Sequence, residues 1–183
     1  YQNQICNGYI TIKGGHRVGI TGNVVVREGQ VINISHIYSL NFRIAREILG
    51  CSKAILPLIL NLKDNSIYNT IILAPPGRGK TTLLRDLIRN ISSGIQEYNF
   101  KGINVGVVDE RGEIAAMYKG IPQNNLGERT DILDNVSKSI GIKMLVRSMN
   151  PQVITADEVG TNEDIQAINY AVTSGVKGIF TAH

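Results

Sequence analysis

The sequence predicts an α/β fold, a parallel sheet covered by helices on both faces and preceded by a small β-rich N-terminal segment. Three observations carry that expectation. From residue 70 onward, short apolar runs alternate with longer amphipathic stretches, and strands that are apolar on both sides need cover on both sides. A glycine-rich loop ending in Gly-Lys-Thr lies between the first of those strands and the first of those helices. Before residue 40 the pattern differs: β-branched runs are punctuated by Gly-Gly, Thr-Gly-Asn and Glu-Gly, which is how hairpins read.

The composition allows such a fold. With 183 residues, 43% hydrophobic and 19% charged, the chain suits one domain, or one domain with a smaller appendage, and is neither disordered nor collagen-like. The longest apolar run, Ala54 to Leu60, is interrupted by Pro57, far short of the about 18 residues that a membrane-spanning helix needs. No basic stretch followed by an apolar core opens the chain, so no signal peptide is expected. Two cysteines, Cys6 and Cys51, point to a reducing compartment, and no Cys/His spacing resembles a zinc site. The charge is uneven: residues 1–69 carry seven Lys/Arg against three Asp/Glu, and the remainder carries twelve of each. A nucleic acid, an anionic membrane surface, a neighbour's phosphates or an ordinary solvated face would each account for that excess. The basic residues are not interleaved with aromatics and Trp is absent, which counts against a stacking surface for single strands.

Taken in order, Tyr9–Ile12 and Arg17–Ile20 flank Gly14-Gly15, and Val24–Arg27 and Gln30–Ile34 flank Glu28-Gly29. Phe42, Ile44, Ala45, Ile48 and Leu49 then fall on one face of a helix that Gly50 ends. Residues 1–61 are expected to form the N-terminal domain, polar residues 62–69 a linker, and residues 70–183 the α/β domain. Its candidate strands are Thr70–Ala74, Asn104–Val108, Val153–Ala156 and Gly178–Ala182; its candidate helices are Lys80–Ile91, Ile140–Met149 and Asn162–Thr173. The chain stops at His183, directly after a strand, so the domain is expected to continue beyond it.

The chemistry begins at Ala74-Pro75-Pro76-Gly77-Arg78-Gly79-Lys80-Thr81-Thr82. Strand, loop and helix follow in the order that a P-loop requires. Gly77 and Gly79 let backbone N–H groups curl around phosphate oxygens, and the helix N-terminus adds its positive end. Lys80 reaches the β- and γ-phosphates of ATP, and the Thr81 hydroxyl ligates Mg²⁺. Pro75 to Thr82 are therefore the candidate nucleotide-binding residues. Ala74 replaces the usual first glycine and fits if its φ is negative.

A second motif, Val153-Ile154-Thr155-Ala156-Asp157-Glu158, is an apolar strand ending in two acids. Asp157 fits a Walker B carboxylate that holds Mg²⁺, and Glu158 a base for the water that attacks the γ-phosphate. The bland alternative is two surface acids that cap the next helix. Between the two motifs lies a further strand, Val105–Val108, followed by Asp109-Glu110-Arg111. That extra strand, together with Glu158, marks the RecA-like branch of P-loop ATPase cores. Asp109 and Glu110 sit where α/β sheets build their sites. His183 also ends a strand and is a candidate sensor of the γ-phosphate, against a structural role.

At this point the residues carry a family. VVDERGEIA, YKGIPQNNLGERTDILD, MLVRSMNPQVITADEVGTNEDIQAI, GIFTAH, GGHRVGI and LNFRIAREILG together resemble the stage III sporulation protein AA family, sporulation ATPases related to type II and type IV secretion ATPases. The resemblance spans essentially the whole chain. It implies a Mg-ATP-hydrolysing hexameric motor in the mother-cell cytoplasm, peripheral to the membrane around the forespore and partnered by a membrane-embedded channel. No nucleic-acid partner is then expected. Asp109 to Arg111 fall on the Asp box beside Mg²⁺ and the attacking water, and His183 falls on the His box. Gly112 stands where a Ser is common. Relative to the family, an N-terminal stretch and everything after the His motif are expected to lie outside this chain.

A ring ATPase needs a cation that neutralises developing γ-phosphate charge, often from a neighbouring subunit. Arg43 and Arg46 are the first candidates, on one helix face at i, i+3; Arg111, Arg129 and Arg147 are the others. Two further readings stay open: a nucleotide-gated scaffold with little turnover, and a nucleic-acid translocase that uses the basic first third.

Overall fold

The computed structural model describes residues 2–183, which form two compact units. The first comprises residues up to 46 together with residues 116–123, and the second residues 47–115 and 124–183. The division thus falls before residue 47, upstream of the expected linker.

In the first unit a short helix α1 (Gln2–Cys6) precedes β1 (Tyr9–Ile12), β2 (His16–Arg27) and β3 (Gln30–Arg43). The three strands form one antiparallel sheet in the order β1-β2-β3. Both expected hairpins are present, and the second is longer than its sequence signal. Glu28 and Gly29, both at positive φ, make its two-residue turn. The helix expected across residues 42–49 does not form. The β2–β3 ladder runs on to Arg17 opposite Arg43, so Phe42 is spent on strand pairing. No helix covers residues 44–50, where Ile44, Ile48 and Leu49 are exposed. An apolar period of 3.6 yields to a ladder that a neighbouring strand can extend.

The second unit opens with α2 (Leu56–Ile59) and a small hairpin of β4 (Leu60–Asn61) and β5 (Ser66–Ile67). The polar stretch expected as a linker is that hairpin. There follow β6 (Thr70–Leu73), α3 (Lys80–Ser93), the paired β7 (Gly94–Ile95) and β8 (Phe100–Lys101), and β9 (Val105–Asp109). The chain continues through β10 (Thr130–Asp134), α4 (Lys138–Ser148), β11 (Val153–Ala156), α5 (Asn162–Thr173) and β12 (Lys177–Ala182).

Five of these strands form a parallel sheet in the order β10-β9-β11-β12-β6. Every residue of β9 and β11 is buried, as central strands covered on both faces require. One face packs Val108, Ile154, Ala156 and Phe180 against Ile142 and Leu145 of α4 and Ala167 and Ala171 of α5. α3 buries Leu84, Leu87, Ile88 and Ile91 completely and packs on β9 and β12. The order brings three strand ends side by side: β6, which feeds the glycine-rich loop, β12, which ends before His183, and β11, which ends before Asp157. In an open parallel sheet such ends are where a ligand binds.

Candidate active site

The loop from Ala74 to Thr82 leaves β6 and enters α3. Gly77 and Gly79 have φ of +73° and +83°, and a Cβ on either would meet no atom within 4 Å. Packing does not demand glycine there; the left-handed backbone does, and it leaves the loop's N–H groups without side-chain cover. α3 starts at Lys80 with no side-chain cap, so its first N–H groups keep their capacity for an anion. α5, by contrast, is closed by its own sequence through a capping box of Thr161 and Asp164.

Lys80 is buried. Its Nζ donates to the carbonyls of Ala74 at 2.5 Å and Pro75 at 3.2 Å and lies 3.0 Å from His183 Nδ1. An ammonium only donates, so Nδ1 accepts and the ring hydrogen sits on Nε2. That nitrogen lies 3.3 Å from Glu158 Oε1. The other Glu158 oxygen pairs with Arg111. A chain of polar contacts therefore runs from the glycine-rich loop through His183 to Glu158.

The neighbouring acid is wired in as well. Thr81 Oγ1 donates to Asp157 Oδ2 at 2.5 Å, and the Thr181 hydroxyl donates to Asp157 Oδ1. Thr81 and Asp157 are thus close enough to share one cation through their oxygens, and both are hard ligands of the kind Mg²⁺ prefers. Glycines at positive φ, an uncapped helix start, a buried lysine and this hydroxyl–carboxylate pair together fit Mg-nucleotide.

Asp109 faces the loop that follows its own strand. Its side chain is 2% exposed. Oδ1 accepts the N–H groups of Glu113 at 2.8 Å and Ile114 at 3.0 Å, and Oδ2 accepts that of Ala115 at 2.8 Å. The carboxylate holds the loop that follows β9. Among the described residues no group of three or more His, Cys, Asp or Glu is placed to hold a metal ion. Glu110 pairs with Lys138 and, with Arg111, Asp157 and Glu158, lines a small cleft beside β9 and β11.

The arginines divide. Arg43 ends β3 and Arg46 lies in the coil after it; both belong to the first unit, the glycine-rich loop to the second. They do not share a helix face, because that helix is absent. Arg129 bonds Ser92 through its N–H and its guanidinium, and Arg147 lies over the Tyr170 ring. Arg111 is the candidate that reaches Glu158.

Three residues escape the sequence reading. Thr181 lies in β12 two residues before His183, which follows the strand, and that spacing is a signal that could have paired them. Arg85 follows Thr81 by one helical turn. Its Nε donates to the Glu113 carbonyl at 3.1 Å. Burial draws its guanidinium below the ordinary range, while the Asp109 and Asp157 carboxylates act the other way. Lys138, the partner of Glu110, has no sequence signal at all.

Residues 1–183 match the family described as sporulation stage III, protein AA. The stage III sporulation protein AA of Bacillus subtilis (strain 168) is 46% identical over 182 residues, covering 100% of this chain and 58% of its own length. This chain therefore spans little more than half of that relative. Among solved structures, the ATPase DotB of Legionella pneumophila superposes with a TM-score of 0.56 at 19% identity, over 92% of this chain and 43% of that one. The pilus retraction motor PilT with bound ADP gives 0.56 at 16%, over 92% and 43%. At those identities the likeness is one of fold, and it is the α/β fold that the sequence predicts.

Proposed function

The chain belongs to the sporulation stage III protein AA family, and from that premise we propose that it binds and hydrolyses Mg-ATP as a secretion-type ATPase. The observation that carries the reading is the contact chain Lys80–His183–Glu158, which joins a glycine-rich anion site to a carboxylate at the end of the acidic strand.

The residues have distinct work. The N–H groups of residues 77–82 and the Lys80 ammonium bind the β- and γ-phosphates, as in other P-loop proteins. Thr81 and Asp157 would hold Mg²⁺, which neutralises phosphate charge when bound. Glu158 takes a proton from the attacking water as its oxygen bonds to the γ-phosphorus. The bond from phosphorus to the β-γ bridging oxygen breaks, and ADP leaves with that electron pair. His183 acts as the reporter. A γ-phosphate competes for the Lys80 donors, and the imidazole that loses Lys80 turns toward phosphate, altering its hold on Glu158. Glu110, paired with Lys138, lines the water side of the cleft.

The motor acts as a hexamer in the mother-cell cytoplasm, against a channel in the membrane that surrounds the forespore. Arg43 or Arg46 of one subunit stabilises the γ-phosphate charge of the next. Support comes from family membership, from the fold shared with the ATPase DotB and with a pilus retraction motor described with bound ADP, and from the excess of basic residues near the N-terminus. Among the described residues no helix is long and apolar enough to cross a membrane. A second reading, a scaffold that binds nucleotide with little turnover, draws on the engagement of both Glu158 oxygens by Arg111 and His183.

Lys80→Ala in the full-length protein tests the site. Loss of a charge-assisted contact to phosphate is expected to weaken Mg-ATP binding by about 100-fold, followed with a fluorescent ATP analogue. Undiminished binding would refute the assignment of this loop to phosphate.

A further inference from the structure

We propose that Thr181 is a positioning residue that sets the geometry of both acids at the end of β11. The inference rests on the ATPase reading above and adds a residue to it. Thr181 is fully buried, with 0% of its surface exposed. It makes three contacts across to the segment that leaves β11. Its hydroxyl donates to Asp157 Oδ1 and accepts the Glu158 N–H at 2.8 Å, and its carbonyl accepts the Val159 N–H at 2.8 Å.

These contacts explain how the turn is held. The parallel pairing of β11 with β12 ends at Ala156 opposite Phe180. The next step would place Asp157 beside Thr181, but there the chain bends out of the sheet. Glu158 has a φ of +52°, a conformation that is costly for a residue with a side chain and persists only when its surroundings fix it. The Thr181 hydroxyl supplies that fixing twice, through one donated and one accepted bond. It orients the Asp157 carboxylate whose other oxygen bonds Thr81. It also pins the backbone from which the Glu158 side chain reaches Arg111 and His183.

A serine could donate and accept in the same way, whereas valine matches the threonine shape and can do neither. This separates positioning from packing. Partners one layer behind ligating or reacting groups typically alter activity by about 10–100-fold. Steady-state ATP hydrolysis is measured on the full-length wild type, Thr181→Val and Thr181→Ser, with binding of a fluorescent ATP analogue measured in parallel at several Mg²⁺ concentrations.

Thr181→Val is expected to lose about 10–100-fold in kcat with KM for ATP within about threefold. It is also expected to need more Mg²⁺ for half-maximal nucleotide binding. Thr181→Ser should stay within about threefold of wild type on every count. Wild-type kcat in Thr181→Val, or an equal loss in Thr181→Ser, overturns the proposal and leaves the ATPase reading standing. If Thr181→Val does not fold, Thr181→Cys replaces it, since a thiol of similar size hydrogen-bonds poorly; unchanged kcat there overturns the proposal as well. A wild type that binds Mg-ATP without turnover leaves the Mg²⁺ dependence of binding as the deciding measurement. A wild type that binds no nucleotide defeats the ATPase reading and this inference with it.

Discussion

Replacing Asp86 by Asn probes how α3, the helix behind the glycine-rich loop, is tied to the segment before it. The Asp86 side chain is 2% exposed. Oδ1 accepts the Gly50 N–H at 3.1 Å and an Arg89 nitrogen at 2.7 Å; Oδ2 accepts the Ser52 N–H at 2.8 Å and the Ser52 hydroxyl at 2.6 Å. Burial alone pushes this carboxyl up. The hydrogen bonds from Ser52, Arg89 and Gly50 outweigh it and bring the pKa down from 3.8 to about 2. A carboxyl whose folded value lies below its unfolded value stabilises the fold above the unfolded value. That stability is lost as pH falls from 3.8 through about 2. The difference corresponds to about 2 kcal/mol at neutral pH and about 1 kcal/mol at pH 3. Asparagine also turns one acceptor into a donor that faces other donors, which costs about 1–2 kcal/mol more. Urea denaturation of wild type and Asp86→Asn is thus expected to show a deficit of about 3–4 kcal/mol at pH 7, smaller by about 1 kcal/mol at pH 3. A deficit below about 1 kcal/mol at pH 7, or one independent of pH, would refute the reasoning.

Two further stability predictions follow from single contacts. Asp109→Ala strands three backbone N–H groups in a buried loop and is expected to cost about 3 kcal/mol in chemical denaturation; a loss under about 1 kcal/mol would contradict the hold of this carboxylate on the loop. Gly102→Ala places a Cβ 2.2 Å from the Ser92 carbonyl oxygen and 2.9 Å from the Ser93 carbonyl carbon. Backbone cannot yield as a flexible side chain does, so a loss of about 2 kcal/mol or more is expected, and a variant as stable as wild type would contradict the close approach.

The α/β core was legible where local chemistry and packing ask for the same thing. α5 has its expected bounds because Thr161 and Asp164 write its start into the sequence. β11 has its bounds because the short buried run Val153-Ile154-Thr155-Ala156 is followed at once by two acids. β10 was not foreseen: Thr130–Asp134 is an edge strand of mixed polarity and lacks the apolar run that marked its neighbours. The helix expected over residues 42–49 failed because periodicity records which side chains recur, not which strand stands ready to extend its ladder. Within the site, Lys80, Thr81, Asp157, Glu158 and His183 come together as the loop and strand-end motifs suggest. Asp109 shows the limit. An acid at the end of a strand reads the same whether it faces a ligand or its own loop, and only three backbone N–H partners tell the two apart. Thr181 shows the converse, since a threonine inside a strand resembles ordinary β-branched filling until its two acidic neighbours are placed beside it.

The central claim is that Glu158, joined to the glycine-rich loop through His183, activates water for ATP hydrolysis. Steady-state hydrolysis by the full-length protein, as a function of protein concentration and with Glu158→Gln beside wild type, tests it most directly. The account predicts specific activity that rises with concentration, as a site shared between subunits requires, and that vanishes in Glu158→Gln while Mg-ATP binding is retained. Activity that is flat with concentration and unchanged by Glu158→Gln would contradict it.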